Sequence, residues 1–209
     1  MSQDSTNKPV VRIFIAYPGD CKASRDQIVK LLVDEDYRFH EHFDIRLVYW
    51  ENPDQPMLGD WNTAPQTSVL EHVGKPAECD LLIALFRHRI GSPLPLAEYA
   101  QDENGNRWTG TVWELAQASR SDCTCWVFRD TSLPDLDYNK LSESEIEEAE
   151  SQFKAVRQFF THKVKDADGA YCRSADLHKG PEVLGALVKG KLRRWFNNQL
   201  KQSLSLIHI

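Results

Sequence analysis

Apolar residues along this chain fall into short continuous runs that alternate with stretches of three- and four-residue spacing. The runs are Val10 to Tyr17 (VVRIFIAY), Asp44 to Trp50 (DIRLVYW), Asp80 to Phe86 (DLLIALF) and Cys123 to Phe128 (CTCWVF). Their length, their β-branched and aromatic content and the turn residues around them predict strands. The third is apolar at every position but its first, the pattern of a strand covered on both faces. Between the runs, Ile28, Leu31 and Leu32 have helical spacing, with Asp20 ahead of them as a candidate N-cap. Val69, Leu70 and Val73 predict a short helix ending before Gly74 and Pro76, and Thr111 to Ser119 predicts another. Ile146, Ala149, Phe153, Val156 and Phe160 mark a long amphipathic helix. Gly169 to Arg173 reads as a short last strand, and Leu184, Leu187, Val188, Leu192, Trp195 and Phe196 define a closing helix.

Strands that alternate with helices imply a parallel sheet joined by right-handed crossovers. The expected architecture is therefore α/β: three flavodoxin-like layers, with about five parallel strands and helices on both faces. The 209 residues suit one such domain. Residues 1–8 read as a disordered polar lead-in, and residues 9–202 as the single domain. Residues 203–209 read as a non-native tail of a truncated gene. Leu204 to Ile209 (LSLIHI) fits no periodicity and resembles translated adaptor DNA.

Composition narrows the partners. A net charge of −6 argues against nucleic acid or acidic membrane as the main partner, since both demand a basic footprint. The cluster Lys189, Lys191, Arg193 and Arg194 reads as the wet face of the last helix. No apolar run is long enough to cross a bilayer. Five cysteines with no C-x-x-C pair speak against a disulfide framework or a zinc site. Free thiols without a signal core predict a reducing, cytoplasmic location.

In an open parallel sheet, ligands bind beyond the carboxyl ends of the strands, where the strand order reverses. With the order 2-1-3-4-5, that crevice lies between the first and third strands. The sequence delivers Tyr17, Pro18 and Asp20 there after the first strand, and Trp50 and Glu51 after the second. Arg87, Arg89, Gly91 and Ser92 follow the third, and Glu114 lies on the next helix. Two roles are open to Glu114. A carboxylate beside the crevice can stabilise or attack an oxocarbenium ion, as in glycosidic bond cleavage. Thr111 and Glu114 also have the spacing of a capping box, in which the glutamate only reaches back to a backbone N–H. Arg87 and Arg89 alternate out of the strand, so they point in opposite directions, and either could hold a pyrophosphate. Asp20 reads first as a helix cap. The Pro-Gly-Asp turn has no glycine-rich fingerprint, so a conventional dinucleotide cradle is absent. The scattered histidines make no metal motif.

The segments RIFIAYPGD followed by Arg25, Trp50-Glu51 through Gly59 to Gln66, CDLLIALFRHRIGSP and GTVWELAQA resemble, in order and spacing, the TIR-like domains at the N-termini of bacterial STAND and NACHT ATPases. The later FRD…LP, the amphipathic helix and DGAY fit as well, so the resemblance spans roughly Val10 to Leu200. Several TIR domains cleave NAD at the nicotinamide–ribose bond when they assemble. Their catalytic glutamate sits in the motif that Glu114 matches. The resemblance implies Glu114 as catalyst, with Tyr17, Asp20, Trp50, Arg87, Arg89, Gly91, Ser92 and Trp113 as substrate-binding candidates. NAD would be a substrate rather than a cofactor. It also implies self-association and a C-terminal ATPase or sensor module beyond this chain. The chain departs from better-studied TIR domains in a longer third loop and in Ala16, where they carry serine. Two alternatives stand beside this expectation. One is a non-enzymatic adaptor acting by homotypic association. The other is an enzyme similar to the nucleoside 2-deoxyribosyltransferases, which share the strand, aspartate and GTxxE-[LI]-x-x-A pattern.

Overall fold

The computed structural model of the chain describes residues 8–52, 74–99, 101–102, 105–134, 140–164 and 173–206. The apolar runs form β1 (Val10–Ala16), β2 (Asp44–Val48), β3 (Leu81–Phe86) and β4 (Thr124–Asp130), and a fifth strand, β5, spans Asp176–His178. The segments of helical spacing form α1 (Lys22–Phe39), α2 (Gly110–Ala118), α3 (Glu143–Val164) and α4 (Gly180–Leu206). Every strand pair is parallel and the order is β2-β1-β3-β4-β5. This is the expected three-layer flavodoxin-like fold, with its order reversing between β1 and β3.

Side chains alternate across a strand, and the alternation builds two cores. Ile13 and Ile15 of β1 and Leu81, Ile83 and Leu85 of β3 face one side. There they meet Ile28 and Leu32 of α1 and Leu184, Val188, Leu192 and Phe196 of α4. Phe14, Ala16, Leu82, Ala84 and Phe86 face the other side, against Ala118 of α2 and Val156, Phe160 and Val164 of α3. β3 lies between the two cores and is buried at every position, which explains its unbroken apolar run. Each large aliphatic or aromatic side chain fully buried this way contributes about 1.5–3 kcal/mol. α1 and α4 are also tied by Arg193 Nε donating to Glu35 Oε1 at 3.0 Å.

The differences from expectation lie at element ends. β5 is Asp176–His178, and the short strand expected at Gly169 to Arg173 lies, but for Arg173, outside the described residues. Its Asp-Leu-His sequence has no apolar run, because tertiary contacts fix this short edge strand. Thr131 donates to the His178 carbonyl through its N–H at 2.9 Å and its Oγ1 at 3.0 Å. α4 continues through Leu206, into the stretch read as a non-native tail. β1 and β2 stop before Tyr17 and Tyr49, which already belong to the strand-end loops. The expected helix at Val69 to Val73 lies outside the described residues, as do residues 1–7 of the expected lead-in. No described helix is long and apolar enough to cross a membrane.

Candidate functional site

A cleft of about 830 Å³ opens where the strand order reverses. The loop after β1 supplies Tyr17 and Asp20, and α1 adds Lys22. The loop after β2 supplies Trp50 and Glu51. The loop after β3 supplies Arg89, Gly91 and Ser92, and α2 supplies Thr111 and Glu114. The volume falls within the range of small-molecule and cofactor pockets.

Asp20 is not a helix cap. The residue before α1 is Cys21, and α1 has no side-chain cap. The Asp20 carboxylate instead crosses to the other strand of the crevice. Its Oδ2 accepts the backbone N–H of His88 at 2.8 Å and of Arg89 at 3.2 Å. These amides follow β3, so one carboxylate staples the two strand ends that border the cleft. It also occupies donors that an anionic ligand would otherwise use.

The β2 side of the cleft is organised by Arg25, a side chain that matters only through tertiary structure. It is 5% exposed and projects from α1 under the strand ends. Its Nη1 donates to the Tyr17 hydroxyl at 2.9 Å, and its Nη2 donates to Glu51 Oε2 at 3.1 Å. Nε lies 2.7 Å from Asp26 Oδ1. The guanidinium also sits 5.1 Å from the Tyr17 ring centroid and 5.3 Å from that of Tyr49, the geometry of cation–π contact. Tyr17 passes the connection on, its hydroxyl donating to the Trp50 carbonyl at 2.6 Å. Burial pushes the Tyr17 hydroxyl well above its ordinary value, against the opposing pull of Arg25, so it stays protonated. Glu51 adopts φ +69°, a left-handed conformation rare for a residue with a side chain. Strain of this kind costs on the order of 1–3 kcal/mol and persists only where the surroundings enforce it. The Arg25 and Tyr17 contacts are that enforcement.

The loop after β3 is fixed from two sides. Gln152 on α3 accepts the Ile90 N–H at 2.9 Å and donates to the Gly91 carbonyl at 3.4 Å. Gly91 has φ +100°, which favours glycine, and a Cβ there would lie 3.6 Å from Thr109 Cβ. Pro93 forms an antiparallel bridge with Thr109, and the Leu94 N–H donates to the Trp108 carbonyl at 2.8 Å. The loop is thus paired with the segment that leads into α2.

That pairing decides the register of α2 and with it the reading of Glu114. The N-cap is Thr109, whose carbonyl accepts the Trp113 N–H at 2.9 Å. Its hydroxyl does not cap the helix and donates instead to the Ile90 carbonyl at 2.9 Å. Thr111 is therefore the second residue inside the helix, and a capping box counted from Thr109 would fall on Val112. Thr111 and Glu114 therefore do not occupy the N-cap and third helical positions that a capping box needs. Glu114 lies a turn into α2, is 8% exposed and lines the cleft.

Two sequence candidates lie elsewhere. Arg87 leaves β3 in the opposite direction from Arg89, and its Nε lies 3.6 Å from Asp130 Oδ2. Trp113 packs edge-on against Tyr99, with centroids 5.4 Å apart, and does not line the cleft. Tyr17, Asp20, Trp50, Arg89, Gly91, Ser92 and Glu114 do come together. The side chains whose roles sequence reasoning missed are Arg25, Gln152, Thr109 and Lys22. Only Arg25 left a signal, as part of the quoted opening motif. Among the described residues no group of three or more His, Cys, Asp or Glu side chains is arranged to hold a metal ion. The chemistry present is a carboxylate pair (Glu51 and Glu114), two cations (Lys22 and Arg89) and the half-exposed Trp50 indole.

The fold and site define a flavodoxin-like α/β chain whose switch-point cleft is edged by charged and aromatic side chains. No protein-family model matches the sequence, and the comparison with curated proteins finds no match.

Proposed function

We propose that this chain is a TIR-like effector domain that binds NAD in the switch-point cleft and hydrolyses its nicotinamide–ribose bond. The observation that carries the reading is Glu114, buried at 8% exposure and lining the cleft one helical turn into α2. A carboxylate in that position meets the positive charge that develops at the anomeric carbon as the N-glycosidic bond lengthens. Nicotinamide leaves with the bonding electron pair. Water then adds to the anomeric carbon and gives its proton to the carboxylate or to solvent, leaving ADP-ribose. Arg89 and Ser92 orient the phosphates, and Trp50 offers a ring face for stacking.

In this reading the domain works in the cytoplasm and becomes active on self-association, driven by an ATPase or sensor module of the full-length protein. Incubating assembled protein with NAD and quantifying free nicotinamide tests it. Wild type should release nicotinamide. Glu114→Gln, close to it in shape, should keep its fold and lose at least about 100-fold in rate. An oligomeric, folded wild type that releases no nicotinamide defeats the proposal.

A further inference from the structure

Glu51 stands in the cleft without a role in the cleavage chemistry, yet the structure holds it firmly. Only one of its oxygens, Oε2, is engaged by Arg25, and the side chain is 43% exposed toward the cleft. Arg25 has a second carboxylate at 2.7 Å in Asp26, so Glu51 is not its sole counter-charge. The left-handed φ of +69° turns the carboxylate where an ordinary loop conformation would not carry it. The Tyr17–Trp50 hydrogen bond closes the same ring of contacts from the backbone side. A strained residue held in place by a buried cation and aimed at a cavity is positioned for something outside itself.

The row of strand ends says what that is. Glu51 follows β2, Lys22 follows β1, Arg89 follows β3, and Glu114 stands on the helix leading to β4. A dinucleotide laid along this row with its reacting ribose at Glu114 has its pyrophosphate near Lys22 and Arg89. Its second ribose then falls at the end of β2. In dinucleotide-binding Rossmann sheets an acidic side chain at that place accepts hydrogen bonds from ribose hydroxyls, and Glu51 stands at the same place here although the glycine-rich turn is absent. A carboxylate whose other oxygen is not committed to Arg25 suits a vicinal diol, whose two hydroxyls are both donors. The same carboxylate repels a phosphate ester at the 2′ position.

We infer that Glu51, positioned by Arg25, is the specificity residue that recognises the adenosine ribose and selects nucleotides with a free 2′-hydroxyl over their 2′-phosphates. The inference rests on the reading that the cleft binds an NAD-like dinucleotide. It adds a discrimination that the cleavage chemistry does not require.

The test is binding, kept separate from turnover. ADP-ribose and ADP-ribose 2′-phosphate are titrated calorimetrically into the full chain, its Glu51→Gln variant and its Glu51→Asp variant. Wild type should prefer ADP-ribose by about ten- to a hundredfold, the scale of a charge-assisted hydrogen bond. Glu51→Gln should bring the two ligands within about threefold of each other. Glu51→Asp, charged but shorter, should bind ADP-ribose more weakly while still rejecting the 2′-phosphate. Equal binding by wild type, discrimination that survives in Glu51→Gln, or no binding of either ligand overturns the inference. Nicotinamide release without this discrimination rejects the role of Glu51 alone. Discrimination without nicotinamide release rejects the hydrolysis reading alone.

Discussion

Asp20 accepts the backbone N–H of His88 at 2.8 Å, although 68 residues separate them, and so joins the ends of β1 and β3 across the mouth of the cleft. Replacing Asp20 with alanine leaves the His88 and Arg89 amides to water. Hydrogen bonds to a charged acceptor contribute about 1.5–3 kcal/mol each, and solvent access at this half-buried site puts the loss toward the lower end. Asp20→Ala should lower the urea midpoint by a corresponding amount with an unchanged m-value. An unchanged midpoint would mean that the staple is incidental.

Arg25 makes a second prediction. Arg25→Met keeps much of the packing against Tyr17 and Tyr49 but deprives Glu51 and the Tyr17 hydroxyl of their donor. Breaking a fully buried pair costs about 3–5 kcal/mol; here Glu51 and Asp26 can hydrate, so about 2 kcal/mol is expected. The informative readout is Trp50, whose backbone is held through Tyr17. Its environment should change in near-ultraviolet circular dichroism, while the far-ultraviolet spectrum stays native. A native near-ultraviolet spectrum would show that Arg25 does not organise the wall.

Asp130 gives the protein an acid limit. Burial alone would raise its pKa, but hydrogen bonds from the Ser132 hydroxyl, the Ser132 N–H and the Gly180 N–H outweigh it and hold the carboxyl below its ordinary 3.8. A carboxyl depressed in the folded state stabilises fully above its unfolded pKa, and the contribution disappears as pH falls through the folded value. Asp130→Asn should therefore be less stable than wild type at neutral pH, and the difference should shrink below about pH 4. A difference in unfolding free energy that stays constant from pH 7 to pH 2.5 would contradict this.

The thiols should differ in reactivity. Burial pushes Cys79 up to about 12 and raises Cys21 well above its usual value, so both should resist alkylation at neutral pH. Cys123, just before β4, and Cys125 on it are two residues apart and share a hydrogen bond. It raises the Cys123 thiol and lowers that of Cys125. Among these four, Cys125 should be the first modified by iodoacetamide, followed by peptide mass spectrometry. Equal labelling of Cys79 and Cys125 would refute the assignment.

The fold was legible because it depends on features that sequence states directly. The unbroken apolar run of β3 announces a strand buried on both faces, and the spacing of Ile146 through Phe160 announces α3. β5 was not, because three residues pinned by Thr131 and Asp130 need no hydrophobic pattern of their own. Most of the cleft followed from strand ends meeting at a switch point. The side chains that aim it did not. Arg25 is 26 residues from Glu51, and its place in the opening motif does not announce that contact. The start of α2 lies two residues before the Thr111 that the spacing suggested, because the Thr109 hydroxyl is committed to the Ile90 carbonyl and the helix begins at Gly110.

Thr109 also gives the cleft a mechanical character. Its hydroxyl grips the Ile90 carbonyl, and its neighbour Trp108 pairs with Leu94, so the strap of residues after β3 and the opening turn of α2 form one lever. Glu114 stands one turn of helix beyond that join. The place of the carboxylate in the cleft is therefore set by the loop after β3 as much as by the sheet beneath it.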